Sequence, residues 1–491
     1  MKVKLICCAV AAAMLLCGCQ ASKESQDIIE DPPALEQSEQ KSPPSDDKVE
    51  EEEKEAESLF PPAPPVCELD FMETESFPFP FEDELLVDEE KGLFLSTEQA
   101  LYDYDTMWQL LEENYPYFEA IKRELGIDWE GVKAEYRQIL ANHAYGGYIS
   151  QGDFIQTIYE CLQEFRSVGH LFLVMADSRL TVLDLFKDSE NTPYQNIFEM
   201  ANNPKSELFY EEYIKRFSPT RSGGSNSDSE KGERVSVDRL KPISQHLFTG
   251  YVGEEVPYLR IASFSQWDDA AQAKLEDFFS NISQEEHLII DVRGNTGGND
   301  NAWKRGIVPF LAQQEYEFNR FWGAKSGSLN LMLEPEFDKS RGYITRYTDD
   351  SWQKEFPYIS PDMLTGIDIF LKASTALRCA DVPDKFHGKI WLLVDKYCYS
   401  ATEALACFCK ETGFATLVGT QTGGSGKGAQ PYFMALPYSG LIVEYETYLT
   451  FNLDGTCNGI SGTVPDIVPE EGRGALETCL MAINGELSTY L

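Results

Sequence analysis

The sequence predicts a mixed α/β (α+β) protein: a helical domain followed by a β-sheet flanked by helices. Three observations lead there. Uninterrupted apolar runs at 288–292 (LIIDV) and 390–394 (IWLLV) have the pattern of strands buried on both faces, and 258–264 (YLRIASF) also reads as a strand. Helical spacing lies between and after them: Leu275, Phe278, Phe279 and Ile282 fall on one helix face, as do Leu405, Phe408 and Cys409. Ahead of the strands, residues 95–175 carry four runs of helical period.

In chain order, residues 1–19 read as an export signal. Lys2 and Lys4 precede an apolar run at 5–16 that is too short to span a bilayer. Leu16-Cys17-Gly18-Cys19 resembles a bacterial lipobox, which implies cleavage before Cys19 and a lipid on its sulfur. The expected location is the extracytoplasmic face of the cell membrane, lipid-anchored through Cys19. Residues 20–65, rich in Glu, Asp, Lys, Ser and Pro, read as a disordered acidic tether, since such a composition cannot bury enough apolar surface to order itself. A net charge of −41 disfavours nucleic acid and anionic surfaces as partners. Of the twelve cysteines, eight lie beyond the signal and Cys19, and both disulfides and free buried thiols are compatible with their spacing. No paired C-x-x-C pattern indicates zinc.

In the helical domain, Asp105 is placed to cap a segment holding Met107, Trp108, Leu110 and Leu111. Further segments centre on Phe118, Ile121 and Leu125, on Trp129 to Leu140, and on Phe154 to Phe165; their aromatics read as core. This domain closes at Gly169-His170, followed at once by an apolar run, so His170 sits at a helix-to-strand corner. Residues 176–250 form a variable region with a low-complexity loop at 218–234 expected to be mobile, and no glycine-led peptide-binding module of the PDZ kind is recognisable. Residues 251–480 hold the α/β domain, in which 300–385 read as insertions covering the sheet.

Two turns of the α/β domain suit chemistry. The strand at 288–292 runs into Arg-Gly-Asn-Thr-Gly297-Gly298-Asn299, which leaves backbone N–H groups free at the carboxyl edge of the sheet. Its spacing matches neither dinucleotide nor P-loop phosphate binding, so an oxyanion hole is the better use. The strand at 390–394 runs through a short turn to Ser400, which opens a helix with Glu403 at capping-box spacing. That position serves equally as an ordinary helix cap and as a nucleophile beside the positive helix end.

Four motifs then occur in one order: Gly169-His170, LIIDVRGNTGG at 288–298, YSATEALA followed by VGTQTGG within 399–424, and GTVPDI at 462–467. Together they resemble the tail-specific, or C-terminal processing, protease family of serine peptidases, in the broad group that includes the tricorn protease core. The resemblance covers roughly residues 95–475 and implies a crotonase-like core. It makes Ser400 the nucleophile and forms the oxyanion hole from the N–H of Ala401 and that of Gly297 or Gly298. The family has two general bases. In the processing-protease branch a lysine serves; its position falls on Ser425, and Lys427 lies two residues later. In the tricorn-like branch a histidine serves, and it falls on His170. The Thr-Gly-Gly form of the loop and the missing peptide-binding module resemble the second branch. That branch's glutamate before the closing Gly-x-x-Pro-Asp falls on Gly459, leaving Glu444 or Glu446 as substitutes.

Chemistry favours His170, because histidine titrates near neutrality whereas lysine must first lose several pKa units through burial. The function expected is a membrane-tethered extracytoplasmic serine peptidase without metal or cofactor, acting on a peptide or an unfolded protein. The alternative is a peptide-binding envelope lipoprotein that keeps the fold without the chemistry. An esterase is a third reading, disfavoured because no G-x-S-x-G surrounds Ser400.

Overall fold

The computed structural model describes residues 85–88, 91–143, 147–187, 192–217, 237–253, 255–265, 267–331 and 343–486. The signal, the 20–65 tether and the 218–234 loop lie outside them.

Strand β1 (Leu86–Asp88) pairs antiparallel with β2 (Gly92–Ser96). Ser96 then caps α1 (Thr97–Asn114): its hydroxyl accepts from the Gln99 N–H, and the Gln99 side chain accepts from the Ser96 N–H. The helix thus begins before the Asp105 cap expected from sequence. Asp105 lies mid-helix and pairs with Arg137 at 2.8 Å. Helices α2 (Phe118–Leu125) and α3 (Trp129–His143), strand β3 (Tyr148–Ser150) and helix α4 (Gln151–Gln163) follow. Their aromatics form the core, with Phe118 stacked on Trp108 at 5.5 Å and on Trp129 at 4.8 Å.

The chain turns through 164–171 into β4 (Phe172–Leu173), then forms α5 (Ala176–Phe186), α6 (Thr192–Ala201) and α7 (Pro204–Phe217). Strands β5 (Val237–Pro242) and β6 (Leu247–Val252) come next. They belong to the main sheet, so the α/β boundary expected at 251 falls inside β6. The described residues belong to one compact unit.

The main sheet continues through β7 (Val256–Ile261), helix α8 (Asp269–Asn281) and β8 (His287–Asp291). The expected insertions at 300–385 are a second, antiparallel sheet of β9 (Tyr316–Ala324), β10 (Tyr343–Tyr347) and β11 (Ile369–Leu377) in the order β10-β11-β9. The main sheet resumes at β12 (Lys389–Val394), crosses over through α9 (Ala401–Thr412) and gains β13 (Thr416–Gly419). Strands β14 (Tyr432–Ala435) and β15 (Ile442–Tyr445) and helix α10 (Ala475–Ile483) close the described chain.

The six-stranded order is β13-β12-β8-β7-β6-β5, parallel from β13 to β7 and antiparallel beyond. Alternation along its strands assigns the two faces. Leu288, Ile290, Leu392 and Val394 pack with Leu405 and Phe408 of α9, whereas Ile289, Trp391 and Leu393 pack with Leu476 and Cys479 of α10. Each such side chain contributes roughly 1.5–3 kcal/mol on burial. A one-residue slip would exchange the faces, so the register is fixed.

A third sheet, β14-β15-β4, joins the helical part to the C-terminal part. Its approach is anchored by Asp103 of α1, which accepts from the Tyr438 and Ser439 N–H groups at 2.7 and 2.8 Å. Burial pushes the Asp103 carboxyl up to about 6.

Candidate active site

Strands β8 and β12 are adjacent and parallel, with Asp291 opposite Leu393, so the turns after them emerge side by side. They are stitched together. The Gly294 N–H donates to Asp395 Oδ1 at 2.9 Å and the Tyr399 N–H to the Asn295 carbonyl at 3.4 Å. Below them Asp291 is buried, accepts from Arg293 at 2.7 Å and from the Tyr258 hydroxyl at 2.5 Å, and stays ionised although burial opposes it.

Ser400 is half-buried and has φ 56°, ψ −122°, and its side chain makes no cap bond. The capping box expected with Glu403 is therefore not formed. Glu403 is instead fully buried, with Oε1 accepting from Asn458 and Thr463 at 2.7 Å each, and burial raises its pKa. It ties α9 to the GTVPDI segment. The Ser400 backbone resembles the strained strand-to-helix turns that project nucleophiles.

Gly297 has φ +114°, and a Cβ there would stand 2.9 Å from Ser400 Cβ and 3.1 Å from the Ala401 nitrogen. Its own N–H is committed to Asn295 Oδ1 at 2.9 Å. The Gly297 carbonyl accepts from the Phe264 N–H at 2.9 Å, so the Gly298 N–H of the same trans peptide points away from that strand edge. Among the described residues, no hydrogen bond uses the N–H of Gly298 or of Ala401.

His170 is brought to the same place by the β4–β15 pairing. Its ring packs on Tyr399, centroids 4.8 Å apart, directly beside Ser400 in sequence. The Tyr399 hydroxyl accepts from the His170 N–H at 3.2 Å and donates to the Ser167 carbonyl at 2.9 Å. Ser425, at the counted lysine position, accepts from the Gly169 N–H at 3.2 Å. The Tyr115 hydroxyl donates to the Val168 carbonyl at 2.6 Å. Among the described residues, the non-glycine residues with positive φ are Arg166, Ser167, His170, Ser400 and Ser425, and all lie in these turns.

Two carboxylates stand near His170. Glu446 is buried, with Oε2 3.6 Å from His170 Nδ1. Glu444 is half-buried on β15; burial pushes it up to about 7, against the pull of His170.

Lys427 is not delivered to Ser400. It is buried, its ammonium paired with Glu411 and donating to the Phe451 carbonyl at 2.6 Å. Glu411 lies three turns along α9, about 16 Å from its start by helical rise. The seven described cysteines are free thiols; burial holds Cys398 and Cys407 well above the ordinary thiol range, which makes them inert. Among the described residues no group of three or more His, Cys, Asp or Glu side chains is arranged to hold a metal ion. Sequence reading did not single out Tyr399, Tyr115 or Tyr117, because their contacts cross the chain and leave no local pattern.

Residues 255–468 match peptidase family S41. Similar solved structures include a Parabacteroides merdae protein taken to be a peptidase, at 17% identity over 80% of this chain and 98% of that one, TM-score 0.48. Mature CPAF complexed with lactacystin is similar at 13% identity over 76% and 94%, TM-score 0.48. The photosystem II D1 C-terminal processing protease is similar at 15% identity over 76% and 93%, TM-score 0.36. No curated protein matches. At these identities and scores the family match, not the structural likenesses, carries the assignment.

Gly297→Ala is expected to force the Ser400 turn out of place. Its phosphonylation by a fluorophosphonate, followed as intact mass against time, should slow about 10²–10³-fold, the loss typical of a damaged oxyanion site; an unchanged rate would separate Gly297 from the reacting centre.

Proposed function

Since residues 255–468 match peptidase family S41, we propose that the chain is a serine peptidase cleaving peptide bonds through an acyl-enzyme on Ser400. Chief support comes from Tyr399, which joins the serine turn to the histidine corner by a ring contact and two hydrogen bonds.

In this reading His170 takes the Ser400 hydroxyl proton as Oγ bonds to the substrate carbonyl carbon. The carbonyl electrons move to oxygen, and the N–H groups of Ala401 and Gly298 stabilise the oxyanion. As the adduct collapses, the C–N bond breaks and His170 gives its proton to the leaving amine. Water then attacks the ester, losing its proton to His170, and the acid departs with Ser400 restored. The substrate is a peptide or an unfolded chain end. Lys427 serves as a buried counter-ion, not as base.

Intact-mass labelling of the full chain with a fluorophosphonate tests this. One label per wild-type molecule is expected, and none on Ser400→Ala or His170→Ala. Lys427→Met should label at the wild-type rate per folded molecule, although removing one partner of a buried pair costs about 3–5 kcal/mol of stability. A folded wild-type protein that stays unlabelled from acid to alkaline pH would favour the non-catalytic binding lipoprotein.

Lipid anchoring through Cys19 is part of the same proposal and rests on Lys2, Lys4, the apolar run and the lipobox-like Leu16-Cys17-Gly18-Cys19. Among the described residues no helix is long and apolar enough to cross a membrane. In cells fed radioactive palmitate, Cys19→Ala should lose both the label and the membrane fraction; a labelled Cys19→Ala chain would refute the anchor.

A further inference from the structure

We propose that Glu444 selects a positive charge on the leaving-group side of the cut, so that the substrates are peptides carrying Lys or Arg just after the scissile bond. The proposal rests on the serine-peptidase reading above and adds a substrate class to it.

Strand β15 alternates: Val443 and Tyr445 are buried, whereas Glu444 between them is half-buried. In register Glu444 stands opposite Phe172 of β4 and Phe433 of β14, so these three side chains share one face of the small sheet. That face adjoins the serine turn. The Phe172 ring lies 6.3 Å, centroid to centroid, from the His170 ring and 6.3 Å from the Tyr399 ring. The Glu444 carboxylate is near enough to act on both His170 and the Tyr399 hydroxyl. Phe172, Tyr399, Ser400 and Glu444 are each partly open to solvent, whereas His170 is buried. The accessible surface beside the nucleophile therefore includes two aromatic rings and one acid.

A carboxylate in that setting lacks a cation. Among the described residues, the basic group that acts on it is His170, and its side chain makes no hydrogen bond or ion pair. Burial disfavours its charge and pushes the carboxyl up to about 7. A cation arriving with the substrate draws it back to the ionised form and gives it the partner that a desolvated charge requires. Glu446 cannot serve in its place, because it is fully buried and its Oε2 is met by the Tyr117 hydroxyl at 3.0 Å. The titratable groups facing Glu444 are His170 from the corner and Tyr399 from the serine turn, with Glu446 two residues further along; β4 and β14 oppose it with Phe172 and Phe433.

The side of the cut follows from the chemistry. The N–H groups of Ala401 and Gly298, given to the oxyanion, belong to the turns after β12 and β8. His170 precedes β4, and Phe172 and Glu444 lie on β4 and β15. His170 passes its proton to the leaving amine, so that nitrogen and the residues after it run along the histidine side. Glu444 is placed to meet the first or second side chain after the cut, with the stem of a Lys or Arg lying on the Phe172 and Tyr399 rings.

The test digests a synthetic peptide mixture, in which Lys, Arg, Glu and neutral residues occur at every position, with the full chain, and maps the cuts by mass spectrometry. Wild type should favour Lys or Arg over neutral residues at the first or second position after the cut by between about tenfold and about 100-fold. That ratio should be larger at about pH 8 than at about pH 6, as the Glu444 carboxyl ionises. Glu444→Gln should bring the ratio close to unity, and Glu444→Lys should invert it in favour of Glu. Each ratio compares residues within one digest, so it is independent of how active a variant is. A wild type that a fluorophosphonate labels on Ser400, but that shows no such enrichment or cuts nothing in the mixture, would overturn the proposal and leave the nucleophile in place. A Glu444→Gln digest that is slower with its ratio unchanged, or a preference confined to the acyl side of the cut, would overturn it too. If neither variant folds, the wild-type ratio and its change with pH decide. A folded wild-type chain that takes no label would remove the serine reading itself.

Discussion

The parallel pairing of β8 with β12 is the constraint from which the rest of the site follows. It sets the glycine turn after Asp291 beside the serine turn after Val394. Neither turn has a use alone. Side by side, they bring Gly297 against Ser400 and Ala401, and among the described residues no hydrogen bond uses the N–H of Gly298 or of Ala401. Apolar packing on both faces of the sheet keeps the pairing in register, so the geometry of the turns is inherited from the core rather than built locally.

The histidine corner reaches this edge by a different route. Strand β4 is only two residues long, yet its pairing with β15 delivers His170 and the two glutamates to one place. The corner is strained: residues of left-handed or sparsely populated backbone cost about 1–3 kcal/mol each. Hydrogen bonds from Tyr115, to Tyr399 and to Ser425 offset that cost, each contributing on the order of 1 kcal/mol. Ser425 is informative here. Where one branch of the resembling family carries its lysine, this chain has a hydroxyl that holds the histidine corner, and its nearest lysine, Lys427, is buried against Glu411.

Much of the framework was legible in sequence. The strands at 288–292 and 390–394 and the helices from Phe118 to Phe165 announce themselves through apolar spacing that burial later uses. Strands β5 and β6 were opaque because β6 is held by pairing with β7, and β5 in turn by pairing with β6. Glu403 has capping-box spacing, but tertiary packing draws it into the network with Asn458 and Thr463, which no local pattern reveals. Lys427 sits among glycines that read as a surface loop, yet Glu411 and Trp322 enclose it. At 459 the glycine resembled a lost glutamate; the space it leaves is filled by the Tyr117 ring, whose hydroxyl meets Glu446.

The most direct test of the central claim is a crystal structure of the chain after reaction with a fluorophosphonate. Phosphorus should be bonded to Ser400 Oγ. A non-bridging oxygen should lie about 2.7–3.1 Å from the nitrogens of both Ala401 and Gly298. Phosphorus on any other residue, or on Ser400 with that oxygen turned away from both N–H groups, would contradict the account.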